Sequence, residues 1–168
     1  MPTEALLSVE EYLATSYRPD CDYVDGRLEE RNLGEWDHAD LQTAVATFLR
    51  TRAKKWGIRA VVEQRVQVSP TRFRIPDVTV IVGDPDGKIL RKPPFLCIEI
   101  LSPEDRLSRV EQRIDDFLKM GVAYVWLLHP ETRRVYVATK EQGFHEFKGE
   151  VLRTENPALE VPLAEIFE

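Results

Sequence analysis

The chain has 168 residues, enough to bury a real core and of a length that suits one domain over 1–168. Hydrophobic residues make up 43% and charged residues 31%, the balance of a globular chain, and no apolar run approaches the roughly 18 residues of a membrane span. The formal net charge is −6, which argues against a protein that coats nucleic acid through general basicity. A local basic patch remains compatible with that charge, because acidic metal clusters also push it down. The N-terminal stretch Met1-Pro-Thr-Glu-Ala-Leu-Leu lacks a basic segment and a long apolar segment. That pattern gives no secretory signal, so a cytoplasmic protein without a membrane anchor is expected. Cys21 and Cys97 are expected as reduced thiols.

Ser8-Val-Glu-Glu11 is a capping-box pattern and predicts a short helix. Tyr23 to Gly26 predicts a strand running into a turn at Asp25-Gly26, with a second strand from Leu28 to Arg31. From Asp37 to Trp56, Leu41, Ala44, Val45, Phe48, Leu49 and Trp56 recur mostly at three- and four-residue steps. This is one apolar face of a helix, and Gly57 is placed to end it. Residues 60–68 alternate, with Ala60, Val62, Gln64, Val66 and Val68 on one side, and predict one strand. Asp77 to Val82 predicts another. Phe95 to Leu101 is a nearly continuous apolar run, as in a central strand covered on both faces. A helix from about Asp105 to Met120, closed by Gly121, precedes a buried strand over Tyr124–Leu128. Arg134–Ala138 and Phe144–Phe147 predict a hairpin, and Leu163–Phe167 a terminal helix. The order is helix, three strands, helix, strand, with additions at both ends. It implies an α/β protein with a mixed sheet and helices on its faces.

Glu99 stands inside the apolar run Phe95-Leu-Cys-Ile-Glu-Ile-Leu101. Burying a lone carboxylate costs several kcal/mol, so a metal ion, a basic partner or protonation must offset it. Asp77, in Arg74-Ile-Pro-Asp77, opens the preceding apolar strand. Neighbouring strands would bring the two carboxylates together. They would repel unless a cation lay between them, and an oxygen-rich site of this kind suits Mg²⁺ or Mn²⁺.

Taken in order, Tyr23-Val-Asp-Gly26, Glu30-Arg-Asn32, His38 with Leu41-Gln42, Glu63-Gln-Arg-Val66, Arg74-Ile-Pro-Asp77, Glu99-Ile-Leu-Ser-Pro103 and Gly121-Val with Tyr124-Val-Trp126 resemble the Uma2 family. Its members are described as restriction-endonuclease-like proteins of the PD-(D/E)XK superfamily. The resemblance covers nearly the whole chain. It implies a PD-(D/E)XK core with an extra N-terminal hairpin and extra C-terminal strands. It also implies metal ligation by Asp77, Glu99 and the backbone carbonyl of Ile100. An upstream carboxylate, Glu63 in preference to Glu30, would complete the site. His38 matches a family position and is expected as a partly buried, hydrogen-bonded histidine. The superfamily lysine is missing, because Leu101 occupies its position. Arg113 aligns with an alternative lysine position, and it can stabilise phosphate charge but cannot act as a base. His129-Pro130 stands where the pattern has Asp-Pro.

The implied activity is metal-assisted hydrolysis of phosphodiester bonds in nucleic acid, DNA foremost, by a homodimer. Arg72, Arg74, Arg50 and Arg52 are expected either as backbone contacts or as ordinary surface. Two other classes stay open: a nucleic-acid-binding module that has lost catalysis, favoured by Leu101 and Arg113, and a protein-interaction module in which the two acids only form ion pairs.

Overall fold

The computed structural model describes residues 5–32 and 34–168. The N-terminal stretch read above from Met1 therefore lies partly outside the described residues.

Helix α1 (Val9–Ala14) begins at Ser8, whose hydroxyl accepts from the Glu11 amide while the Glu11 carboxylate accepts from the Ser8 amide. Both halves of the capping box are present. Strands β1 (Cys21–Val24) and β2 (Arg27–Glu30) then form a hairpin. Asp25 and Gly26, at φ 50° and 89°, make its tight turn, which requires the left-handed region at both positions. Helix α2 (Trp36–Trp56) ends where Gly57 turns left-handed at φ 66°.

Strand β3 (Ile58–Val62) follows at once. The single strand expected over residues 60–68 is two strands. Glu63 takes φ 53° and stops β3, and the chain crosses to another sheet as β4 (Val66–Ser69) and β5 (Arg72–Arg74). Alternation persists through the break, since Ala60, Val66 and Val68 are all buried. Ala60 faces one core, however, and the two valines face another. Strands β6 (Val78–Val82) and β7 (Leu96–Ile100) return to the first sheet. Helix α3 (Leu107–Met120) crosses over to β8 (Tyr124–Leu128), which runs parallel to β7. Strands β9 (Val135–Thr139) and β10 (Gly143–Phe147) form the expected hairpin. A small ladder of β11 (Val151–Arg153) and β12 (Glu160–Pro162) and helix α4 (Leu163–Ile166) complete the chain.

The helix, three strands, helix and strand expected from the sequence are thus α2, β3, β6, β7, α3 and β8. They sit in a six-stranded mixed sheet ordered β10-β9-β8-β7-β6-β3. A second sheet ordered β2-β1-β5-β4 stands beside it, so among the described residues there is not one sheet but two, with the β11-β12 ladder in addition.

Each face of the large sheet has its own core. Leu41, Val45, Phe48 and Leu49 of α2 pack on Val80, Leu96 and Ile98. Val110, Ile114 and Phe117 of α3 pack on Cys97, Val125 and Leu127 from the opposite side. Strand β7 is buried along its whole length, with Leu96 and Ile98 fully inaccessible. Each such apolar side chain contributes about 1.5–3 kcal/mol, so the strand tolerates one costly carboxylate. Tyr12, Tyr23 and Phe73 form a third cluster that fixes α1 to the small sheet. Among the described residues no helix is long and apolar enough to cross a membrane.

Candidate functional site

Strand alternation decides where the acids point. On β7, Leu96 and Ile98 face α2, so Cys97 and Glu99 face α3. On β6, Val78 and Val80 face α2, which sends Asp77 to the α3 side as well. The antiparallel register pairs Val78 with Ile98, and one further step sets Asp77 opposite Glu99. The two acids singled out in the sequence are therefore neighbours across two strands. Both are buried, with 2% and 4% of their surface exposed.

They line a cavity of about 280 Å³ between the two sheets and α3. Asp22, Glu29 and Glu30 reach it from the small sheet, and Asp105, Arg109 and Arg113 from the α3 side. Ile100 lines it too, and its amide donates to Asp77 Oδ2 at 2.7 Å. Arg31 Nη2 donates to Asp77 Oδ1 at 2.6 Å, and His38 Nε2 lies 3.3 Å from the same oxygen. Burial pushes the Asp77 carboxyl up, but the His38 hydrogen bond and the Arg31 charge outweigh it and leave it below the usual carboxylate range. The same hydrogen bond holds His38 above its ordinary value against the opposing effect of burial.

Glu99 is held differently. Its Oε1 is buried with no hydrogen-bond partner, and Arg113 Nε stands 3.9 Å away, also without one. Arg113 Nη2 leans instead toward Asp105 Oδ1 at 3.4 Å. Burial pushes the Glu99 carboxyl up to about 8, with Arg113 pulling the other way. A neutral acid in a polar cavity and an unpartnered oxygen are what a hard cation would convert into a ligand.

Among the described residues no group of three or more His, Cys, Asp or Glu side chains is arranged to hold a metal ion. Glu63, expected as the third ligand, is joined to Asp77 through shared partners. It ion-pairs with Arg31 and accepts from Gln42 Nε2 at 2.7 Å. Glu30 lines the cavity and Glu63 does not. The acids facing the cavity are Asp77 and Glu99, with Ile100 lining it beside them, and the unpartnered Glu99 oxygen is the observation that favours a cation there.

One expected nucleic-acid contact is corrected. Arg74 is fully buried, and its guanidinium is shared among Asp22, Glu29 and Asp116, so it can meet no phosphate. Arg72 is about one-quarter exposed and is paired with Asp25 and Asp116. Arg50 donates to the Ala60 carbonyl, capping an acceptor on the edge strand β3, and Arg52 lies over the Phe48 ring. Lys119 is exposed near the end of α3, and His129 accepts from the Thr132 amide beyond β8. Sequence reasoning did not single out Arg31. Its only signal was its place between Glu30 and Asn32 in one of the family-like segments.

A family model described as Uma2, "Putative restriction endonuclease", matches residues 9–167. A crystal structure described as "a putative nuclease belonging to DUF820", from Anabaena variabilis ATCC 29413, is 22% identical. The match covers 96% of this chain and 97% of that one with a TM-score of 0.84. At that identity the likeness shows the fold alone, a mixed α and β architecture. No curated protein matches the chain. With the family model matched over nearly its whole length, the chain belongs to the Uma2 family.

Proposed function

We propose that this chain is a metal-dependent nuclease, one domain over 1–168 that hydrolyses phosphodiester bonds of nucleic acid, DNA foremost. Asp77, Glu99 and the Ile100 carbonyl would hold Mg²⁺ or Mn²⁺. The observation that carries the reading is the buried, unpartnered Glu99 Oε1 beside Asp77 in a charged cavity. Such a metal supplies Lewis-acid stabilisation of phosphate oxygens and acidifies a bound water.

The chain's own residues supply the rest. Asp77 is oriented by the Ile100 amide and Arg31, so its position is fixed before any ligand arrives. Arg113 brings a positive charge to the cavity wall beside Glu99, where developing phosphate charge would be stabilised. Leu101, half-buried against the α3 core, offers no acid or base. The same reading makes nucleic acid the partner, a homodimer the unit that cuts two strands, and the cytoplasm the compartment.

The test is Mn²⁺ binding by calorimetry on the parent, Asp77→Ala and Glu99→Ala, followed by cleavage of plasmid DNA. Binding by the parent alone, together with cleavage, is the expected result. No binding at millimolar metal, with or without DNA, would overturn the reading. Leu101 favours a second reading, a fold that binds metal and nucleic acid without cutting. Retained binding with no cleavage on any substrate would select it.

A further inference from the structure

The two acids of the site are served unequally. Asp77 Oδ1 receives Arg31 Nη2 at 2.6 Å and has His38 Nε2 at 3.3 Å, while Oδ2 receives the Ile100 amide at 2.7 Å. A carboxylate has about four lone-pair positions, so little of Asp77 is left for a cation. Across the strand pair, Glu99 Oε1 has no hydrogen-bond partner at all. Of the four arginines that line this cavity, Arg31 engages one acid fully while Arg113 stops 3.9 Å from the other. Simple neutralisation of two buried acids does not account for that imbalance.

Arg31 is also held from behind. Its other nitrogen, Nη1, ion-pairs with Glu63, and Gln42 Nε2 ties Glu63 Oε1 at 2.7 Å and the Asp77 carbonyl at 2.9 Å. The guanidinium can therefore give up Asp77 and keep Glu63. Its side chain is only 16% exposed, so a guanidinium released from Asp77 stays in the cavity wall. There its free N–H groups would meet a phosphate oxygen in the planar geometry that arginine favours.

We propose that Arg31 is the resident counter-ion of Asp77, displaced by the divalent metal and handed to the substrate phosphate, so that it sets metal affinity without being a ligand. This rests on the reading of Asp77 and Glu99 as a metal site. Arg31 competes for the lone pairs the metal needs, and its loss makes the acid available. The competition is local, because it depends on the contact with Asp77 and not on the sum of positive charge around the cavity. Arg109 provides the comparison: it lines the same cavity, is exposed, and forms no ion pair among the described residues.

The experiment is Mn²⁺ titration by calorimetry, without nucleic acid, on the full chain and on Arg31→Gln, Arg31→Lys and Arg109→Gln. Arg31→Gln is expected to tighten Mn²⁺ binding by about tenfold or more, since a charge in contact is removed. Arg31→Lys, a point charge that cannot span both acids, is expected in between. Arg109→Gln is expected to change affinity less than about threefold, because solvent and salt screen it. Thermal melts supply a second readout: Mn²⁺ should raise the melting temperature of Arg31→Gln more than that of the parent. If the parent binds and Arg31→Gln binds no tighter, the inference falls while the metal site stands. Equal tightening by Arg109→Gln would reduce the effect to general charge and also overturn it. If neither the parent nor Arg31→Gln binds at millimolar Mn²⁺, the inference and the metal reading fall together. Should Arg31→Gln fail to fold, Arg31→Lys decides alone: binding tighter than the parent supports the displacement, and equal or weaker binding refutes it.

Discussion

Arg74 carries a permanent charge and exposes none of its surface. Its Nη1 donates to Glu29 at 2.9 Å and to Asp22 at 3.2 Å, and its Nε donates to Asp116 at 2.8 Å. Asp22 and Asp116 are themselves 3% and 5% exposed. Burial pushes the Asp22 carboxyl up, and the Arg74 charge pulls it back. Replacing the guanidinium with an apolar group of similar length leaves Asp22 without an ion-pair partner among the described residues and Asp116 with Arg72 alone. Arg74→Met is therefore expected to cost roughly 3–5 kcal/mol in urea unfolding, the usual penalty for breaking a buried pair from one side. A loss under about 1 kcal/mol would mean that the network does not hold the small sheet in place. None of this was legible locally, because the carboxylate partners of Arg74 lie 42 to 52 residues away in sequence and occupy other elements. Glu99 was legible for the opposite reason. Its neighbours in β7 are all apolar, so the charge is out of place in the string itself. Asp77 became readable only through Glu99, since its own surroundings resemble an ordinary strand start.

Whole elements were legible wherever their signals sit within a few residues. The capping box at Ser8, the Asp25-Gly26 turn and the apolar stripe of α2 all rest on short-range geometry, and all three form as expected. The end of α2 gives a clean test. Gly57 has φ 66°, and a β-carbon there would meet no heavy atom within 4 Å. Gly57→Ala thus isolates the backbone cost of a left-handed residue, about 1 kcal/mol. For a chain of this size that corresponds to a fall of about 2–4 °C in melting temperature. A fall much larger than this would show that Gly57 has a packing role the geometry does not contain. The strand expected over residues 60–68 failed at Glu63. Period-two alternation reports which residues are buried, not which sheet buries them, and a single left-handed residue preserves the period while changing the sheet. The three-residue strands β5, β11 and β12 are too short to show a period at all.

At the scale of the molecule, the cavity couples stability to its ligand through Glu99. Without a cation the Glu99 carboxyl is pushed up to about 8 by burial, against an ordinary value of 4.5. A folded-state value above the unfolded one has a definite sign. The stability involved is fully present below about pH 4.5 and is lost progressively as pH rises through 8, because the unfolded chain ionises first. Glu99→Gln keeps the shape of the neutral acid and removes the titration. The metal-free variant is therefore expected to match the parent near pH 5 and to exceed it in melting temperature near pH 8. Metal reverses the comparison. A cation that binds only the folded parent stabilises it by RT ln(1 + [L]/Kd), about 2.7 kcal/mol at a hundredfold excess over Kd. An amide oxygen is neutral and a weaker donor to such a cation than a carboxylate. With saturating Mn²⁺ at pH 8 the parent should gain several degrees, and Glu99→Gln should gain almost none. Thermal melts at the two pH values, with and without Mn²⁺, check both halves. If Glu99→Gln responds to Mn²⁺ as the parent does, the ion is bound elsewhere. If its metal-free melting temperature falls at pH 8, Glu99 is ionised in the fold, and an arginine rather than a proton neutralises it.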